Sequence, residues 1–249
     1  MNTVQQQEIP AIAADFPLVD SKVRPVRICC ISDTHGDERA LGRLPAADIL
    51  VHCGDFTFYG RQATVEAFEA WGAQQPQDRN HKLVILGNHE NRFVQDGEVE
   101  ELKASLPSFT VLSSETATVD GLVFYGAPFY PDYSSEDQDQ QVARIPQNVD
   151  VVLTHNPPKG CLDGGCGHEA LATAVVMAAP VLHVFGHIHE AYGVFTDSTT
   201  GRVSVNAAMV GGIGKTKGSD RKCQHKRPII VDVVVEGQAT IVDSGGKRT

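Results

Sequence analysis

The sequence has no apolar run long enough to cross a lipid bilayer. About 18 consecutive apolar residues are needed for that, and the best candidate, residues 170–185, contains Thr173 and is interrupted by Pro180. The amino-terminal stretch also lacks the basic start and the continuous apolar core of a signal peptide. We therefore expect a cytoplasmic protein with no membrane partner.

Positive charge is scarce in this chain. Its 249 residues include 21 Lys and Arg against 31 Asp and Glu, which gives a formal net charge of −10. A field of that sign repels polyanions, which argues against a nucleic acid polymer as partner and favours a small substrate. The exception is segment 215–227, with six basic residues and one acidic residue. It is interpreted as a solvated loop or, alternatively, as a loop that faces phosphate or a partner.

The chain has six cysteines, and the spacing of one pair of them, Cys161 and Cys166, fits no common zinc-binding motif. Three of them lie within apolar runs and are interpreted as reduced residues of the core: Cys29, Cys30 and Cys53. Cys161 and Cys166 flank a glycine-rich stretch close to His168, where a structural zinc site is the minor alternative.

Five short apolar runs predict buried β-strands. They are residues 26–32, 48–54, 82–88, 149–155 and 181–187. Between the second and third runs, Val65, Phe68 and Trp71 recur at helical spacing. Segments after residue 109 and near the carboxyl terminus predict hairpins with glycine turns. The predicted fold class is therefore α/β with mixed α+β character, in which two packed β-sheets are flanked by helices.

The domain organisation follows from where this pattern begins. Residues 1–24 are polar and interrupted by Pro10 and Pro17, so they predict an amino-terminal extension. Residues 25–249 are expected to form a single domain.

Polar side chains, most of them of types that can bind metal ions, follow the five runs at their carboxyl ends. In chain order they are Asp33, His35, Asp55, Asn88, His89, His155, His187 and His189. Ligand sites of open α/β sheets gather at these strand ends. Residues two apart in an extended backbone point to the same side, so we expect His187 and His189 to project together from one strand end.

The residue types favour a hydrolytic centre with two metal ions. Ions held about 3.5–4 Å apart need a short bridging carboxylate, and Asp55, in a tight Gly-Asp turn, is the candidate. Mixed imidazole and oxygen ligands favour two divalent transition-metal ions (Mn, Fe, Zn or Co) over Mg or Ca. With Asp33, Asp55 and a hydroxide, two such ions retain about one positive charge to receive a phosphate anion.

The fragments in this order resemble the calcineurin-like metallophosphoesterase superfamily over about residues 26–208. The resemblance implies the four-layer sandwich of that superfamily and hydrolysis of a phosphoester by a metal-bound hydroxide. It implies that one ion is held by Asp33, His35 and His189 and the other by Asn88, His155 and His187, with Asp55 bridging. It also makes His89, beside Asn88, the residue that contacts phosphate and protonates the leaving oxygen.

Finer features resemble the MPPED branch of small metallophosphodiesterases. They are GDFT at 54–57, GNHE with Glu90 at its end, and VNAAM at 205–209. The resemblance implies a small phosphodiester substrate, for example a cyclic nucleotide. The alternatives are a phosphomonoesterase or protein phosphatase of the same fold, or a metal-binding scaffold without activity. The branch usually has THGPP where this chain has THNPP at 154–158, and NAS where it has Asn206-Ala207-Ala208.

Four other polar residues have two interpretations each. Asn206 either lines the substrate site or caps a turn. Glu90 either orients a neighbouring ligand or faces water. His52 and His183, inside predicted strands, are interpreted as core or ligand-supporting residues rather than direct ligands.

Overall fold

The computed structural model describes residues 24–90, 93, 97–128, 140, 142–210, 226–235 and 239–243. All but Arg24 of the predicted extension and residues 215–225 of the basic segment lie outside these ranges, so the boundary between extension and domain stays a prediction. Within the described ranges, no helix has the length and apolar character that a membrane span requires.

The described residues form short strands joined by turns and helices. The strands are β1 Val26–Ile31, β2 Ile49–His52, β3 Lys82–Val84, β4 Thr110–Val111, β5 Glu115–Val119, β6 Leu122–Ala127, β7 Val151–Thr154, β8 Leu182–Phe185, β9 Gly193–Thr196, β10 Val203–Asn206, β11 Ile229–Val233 and β12 Ala239–Asp243. The α-helices with defined bounds are α1 Gln62–Gly72, α2 Val99–Ser105 and α3 Glu169–Ala178. Short 3-10 helices cover Glu38–Leu41, Arg79–His81, Asn88–Glu90 and His189–Ala191.

The strands form two sheets of six strands each. The first sheet has the order β12-β11-β1-β2-β3-β4, and the second has the order β5-β6-β7-β8-β10-β9. Strands β1 to β4 are parallel, as are β6, β7, β8 and β10. The antiparallel pairs are the hairpins β5-β6, β9-β10 and β11-β12 and the pair β1-β11. This confirms the predicted mixture of α/β units and hairpins.

The inner faces of the two sheets share one apolar core. Successive residues of a strand point to opposite faces, and in β1 Ile28 and Cys30 pack inward with Leu153 and Val184 of the second sheet. Because strands with both faces covered need apolar residues throughout, the five predicted runs are nearly continuous in hydrophobicity.

The outer faces are covered by helices. Cys29 and Ile31 of β1 pack outward against Phe68 and Trp71 of α1. Val152 of β7 packs against Leu171 and Val175 of α3 in the same way. Helix, sheet, sheet and helix therefore form the four layers that were expected.

Candidate metal centre

The carboxyl ends of the parallel strands bring the predicted ligands of both sheets together. The first sheet presents Asp33, His35, Asp55, Asn88 and His89 after β1, β2 and β3, and the second presents His155, His187 and His189 after β7 and β8. Ligand atoms within 4.8 Å of one another form three groups, each of which could hold a metal ion. We name them the Asp33 group (Asp33, His35, His189), the Asp55 group (Asp55, His155, His187) and the His89 group (His35, Asp55, His89).

The Asp55 carboxylate lies between the other donors. Its Oδ2 is 3.3 Å from His155 Nε2 and 4.0 Å from His35 Nε2. The Asn88 Oδ1 atom completes this side of the centre, at 2.9 Å from both His155 Nε2 and His187 Nδ1. Asp55 thus lies within reach of donors on both sides, His155 on one and His35 on the other, and its bridging role stays a prediction.

The Asp33 group is equally compact. His189 Nε2 lies 3.1 Å from Asp33 Oδ1 and 3.3 Å from His35 Nε2. The Asp33 carboxylate also accepts the backbone N–H of His187 with both oxygens, at 3.1 and 3.0 Å. One side chain of the first sheet therefore orients two loop positions of the second.

Backbone carbonyls orient three of the imidazoles. His155 Nδ1 is 2.7 Å from Cys53 O, His89 Nδ1 is 2.5 Å from Phe58 O, and His35 Nδ1 is 3.3 Å from Thr57 O. A carbonyl can only accept, so each contact places a proton on Nδ1, and Nε2 is the atom that faces the centre. Such contacts fix the tautomer that a metal ligand needs.

Four of the predicted site residues have left-handed backbone. The φ angles are 54° for Asp33, 49° for His35, 56° for Asp55 and 68° for His187, in a region that residues with a side chain rarely adopt. β8 ends at Phe185 and His189 begins a 3-10 helix. The expectation that an extended strand end projects both histidines was therefore wrong: turns direct His187 and His189 into different groups.

Two glycines allow the loops to approach this closely. A Cβ atom on Gly87 would lie 2.2 Å from Asp55 Oδ1, and one on Gly186 would lie 2.1 Å from Asp33 Oδ2. These separations are far below a van der Waals contact. Any larger residue at either position would displace a carboxylate of the centre.

Glu90 supports the turn that carries Asp55. Its fully buried carboxylate accepts the backbone N–H groups of Asp55 at 2.8 Å, Thr57 at 2.8 Å and Gly87 at 3.0 Å, and the Thr57 hydroxyl at 2.7 Å. Burial and the charge of Asp55 raise the pKa of Glu90 to about 7, although these hydrogen bonds oppose the shift. Of its two interpretations, the ligand-orienting one agrees with these contacts.

The two buried aspartates are balanced by imidazoles. Burial alone would raise the pKa of Asp33, but its hydrogen bond to His189 and the charge of His155 hold the pKa well below its usual value. The pKa of Asp55 is lowered against the same burial penalty by the charge and hydrogen bond of His155. Asp55 in turn raises the pKa of His155 to about 10, against the effect of burial. Both buried aspartates therefore stay ionised beside histidines.

Neighbouring polar residues hold loops and strands. His52 Nε2 lies 3.0 Å from the Thr34 hydroxyl, and His183 Nε2 lies 2.9 Å from that of Thr154. Both histidines are fully buried, in agreement with their interpretation as core residues. Buried Asn206 donates from Nδ2 to Leu162 O and Ile188 O and accepts Ala208 N–H at Oδ1. These contacts fasten loops, and the substrate-binding role of Asn206 stays a prediction.

Sequence reasoning did not single out Lys226. It is partly buried, and its ammonium donates to the carbonyl of His189, so the interpretation of segment 215–227 as a solvated loop does not hold for this residue. Cys161 and Cys166 were the alternative zinc site. Among the described residues, neither belongs to a group that could hold a metal ion.

Comparison with known proteins identifies the family and agrees with the fold. The profile of the family described as calcineurin-like phosphoesterase matches residues 26–191. The human metallophosphoesterase domain-containing protein 1 is 34% identical over 221 residues, which cover 74% of this chain and 67% of that protein. The UPF0046 protein C25E10.12 of Caenorhabditis elegans is 34% identical over 264 residues, which cover 91% of this chain and 86% of that one.

A solved structure has a similar fold. The crystal structure of TT1561 of Thermus thermophilus has a TM-score of 0.57 at 12% sequence identity and covers 89% of this chain and 100% of that one. By its sequence, its fold and the side chains at its strand ends, this chain belongs to the calcineurin-like phosphoesterase family.

Proposed function

We propose that this protein is a dinuclear metal-dependent phosphodiesterase that hydrolyses small phosphodiesters. The observation that carries the proposal is the position of the Asp55 carboxylate. It belongs to the Asp55 group and also contacts the Asp33 group through His35. A carboxylate with donor sets on both sides is the arrangement that a pair of closely spaced ions requires.

The donor chemistry fits two transition-metal ions. Asp33 with His35 and His189 would hold one ion, and Asn88 with His155 and His187 would hold the other. Imidazole nitrogen and carboxylate or amide oxygen together suit Mn, Fe, Zn or Co. The Nε2 atoms of His35 and His189 lie 3.3 Å apart, within reach of one shared cation.

The bound ions would supply a hydroxide nucleophile and neutralise the charge of the phosphoryl group. The protein's own contribution to the chemistry is concentrated in His89. Its side chain is 28% exposed, against 3% for Asp55 and 7% for His35, so it can reach a substrate above the buried donors. With Nδ1–H held by Phe58 O, Nε2 is the nitrogen that faces the substrate, and in the imidazolium form of the ring its proton would pass to the departing alkoxide.

A diester substrate agrees with the charge of the site. A monoester dianion favours recognition by a bidentate arginine, whereas the described donor groups of the centre are imidazole, carboxylate and amide groups. The likeness to the human metallophosphoesterase domain-containing protein 1 adds to this only at the level of the family. Cyclic nucleotides are the first natural diesters to test.

The test compares two substrates and counts metal ions. Full-length protein is stripped of metal, loaded with Mn²⁺ and assayed with bis-p-nitrophenyl phosphate and p-nitrophenyl phosphate. We expect two ions per chain and a kcat/KM for the diester that is higher by about tenfold or more, or about 1.4 kcal/mol in transition-state stabilisation. Preference for the monoester would replace the proposal with a phosphomonoesterase. Protein that binds no Mn²⁺ would refute the metal centre itself.

A further inference from the structure

Lys226 lies against the turn that carries His189. Its ammonium donates to the His189 carbonyl and lies 4.8 Å from the centroid of the Tyr192 ring. Its own backbone N–H donates to Met209 O at 2.8 Å, which fixes the position of the lysine where the chain approaches β11.

A second hydrogen bond joins the same two segments in the opposite direction. The Tyr192 hydroxyl donates to Arg227 O at 2.6 Å. The turn at 189–192 and residues 226–227 are therefore connected by one bond from each side, with the aromatic ring beneath the ammonium. We call Lys226, Tyr192 and the two carbonyls that they bind the Lys226 clamp.

The clamped turn is short and lies outside the strands. His189–Ala191 is a 3-10 helix of three residues, and the strand that follows it, β9, begins at Gly193. His155, in contrast, directly follows β7 and has its ring bonded to Cys53 O. A ligand on a short turn loses more order than a ligand at a strand end when a supporting bond is removed.

We infer that Lys226 is a positioning residue for the His189 side of the metal centre. It holds the His189 carbonyl so that the imidazole Nε2 stays beside Asp33 Oδ1 and His35 Nε2, at 3.1 and 3.3 Å. The inference depends on the proposed function, in which these three side chains share one ion. Outer groups that orient a metal ligand change metal affinity by about 10- to 100-fold when they are removed.

The positive charge of Lys226 should lower metal affinity, which opposes the positioning effect. An ammonium beside a cation site repels the ion, while the hydrogen bond to the His189 carbonyl orders the ligand. The two contributions separate by substitution: Lys226→Arg keeps the charge and the donor, Lys226→Gln keeps a donor without charge, and Lys226→Met keeps only the apolar stem. Positioning predicts that affinity follows the donor.

The experiment measures Mn²⁺ binding to the metal-stripped full chain by calorimetry. We expect Lys226→Met to weaken one of the two Mn²⁺ sites by about tenfold or more while the other is unchanged, and we expect Lys226→Arg to restore most of the loss. Lys103→Met is the matched control, because Lys103 is bonded to Glu100 and Glu115 on the surface, and it should bind as the wild type does.

Each other outcome has a defined meaning. Equal isotherms for wild type and Lys226→Met would overturn the inference alone. Tighter binding in both Lys226→Met and Lys226→Gln would overturn it in favour of simple charge repulsion. Wild type that does not bind two ions would overturn the proposed function, and the inference with it. If Lys226→Met does not fold, Lys226→Ala replaces it as the variant without a donor: weaker binding than in Lys226→Gln supports positioning, and equal binding refutes it.

Discussion

The two sheets make different contributions to the candidate metal centre. The first sheet supplies both carboxylates, Asp33 and Asp55, while the second supplies imidazoles only, from His155, His187 and His189. All formal negative charge of the three groups therefore lies on one side of the centre. Removing a first-sheet carboxylate should change the charge that holds the ions, whereas removing a second-sheet ligand should open the coordination of one ion.

The residues that support the loops of the centre also differ between the two sheets. On the first sheet, the Glu90 carboxylate accepts backbone N–H groups around Asp55. On the second, Asn206 and Lys226 donate to backbone carbonyls of the loops beside His187 and His189. The carboxylate side of the centre is thus supported by a hydrogen-bond acceptor, and the imidazole side by hydrogen-bond donors. The comparison suggests the variants that follow.

The largest effect is expected when Asp55 is changed. Asp55→Asn keeps the shape of the side chain and removes the charge between the two donor sets. We expect loss of both ions and of turnover beyond the about 10²- to 10³-fold typical of losing one electrostatic contact. His187→Asn on the second sheet is the comparison and should lose one ion. Metal analysis with turnover of bis-p-nitrophenyl phosphate measures both, and equal metal loss in the two variants would contradict the difference between the sheets.

His89→Asn should leave the ions in place and slow the chemical step. Loss of a general acid costs about 10²- to 10⁴-fold in rate, and the cost grows with the basicity of the leaving oxygen. The decrease should be larger for a diester with an alkyl leaving group than for one with a p-nitrophenyl leaving group. The same decrease for both leaving groups, measured as kcat at two Mn²⁺ per chain, would show that His89 acts in another way.

Glu90→Gln should destabilise the first-sheet side. An amide in place of the carboxylate turns N–H groups toward the N–H donors of Asp55, Thr57 or Gly87, so at least one buried donor loses its acceptor. We expect the free energy of unfolding to fall by about 1–3 kcal/mol in urea titrations. Glu190→Gln is the control on the second-sheet side, where the residue is exposed, and it should remain within about 0.5 kcal/mol of wild type. No loss in Glu90→Gln would refute the supporting role.

The smallest expected difference concerns one buried histidine from each sheet. Burial lowers the pKa of His52 and of His183 to about 3, against a usual value near 6.5. As pH falls below that value, the unfolded state takes up protons that the folded state does not, so stability decreases until the folded pKa is reached. Each histidine should cost about 1 kcal/mol between pH 7.5 and pH 5.5.

Single variants test whether the two histidines contribute equally to the loss of stability on acidification. His52→Gln and His183→Gln should each reduce the decrease in unfolding free energy on acidification, by equal amounts, whatever their effect at pH 7.5. Urea titrations at the two pH values measure the change. An unchanged acid sensitivity in one variant would show that its histidine already binds a proton in the folded state, and the sheets would then differ here as well.

The sequence was sufficient to predict the layers and the members of the centre. Asp33 and Asp55 follow apolar runs directly, so the parallel pairing of β1 and β2 places them at one edge of the first sheet. His155 of the second sheet joins them because the two sheets pack face to face. The turns were not predictable in this way. The left-handed backbone at His187 depends on the Asp33 carboxylate, a contact across 154 positions of the chain. Lys226 is 37 positions from His189, and no local pattern reports such a pairing.

The left-handed turns at Asp33, Asp55 and His187 also bear on the discrimination of ions by size. Each such residue costs about 1–2 kcal/mol relative to ordinary backbone, and the surrounding bonds maintain it in the folded chain. A ring of donors fixed in this way resists widening. Calcium, which takes six to eight oxygen ligands at about 2.3–2.6 Å, would need a larger and more flexible shell, so we expect the centre to favour small transition-metal ions through stiffness as well as through its nitrogen donors.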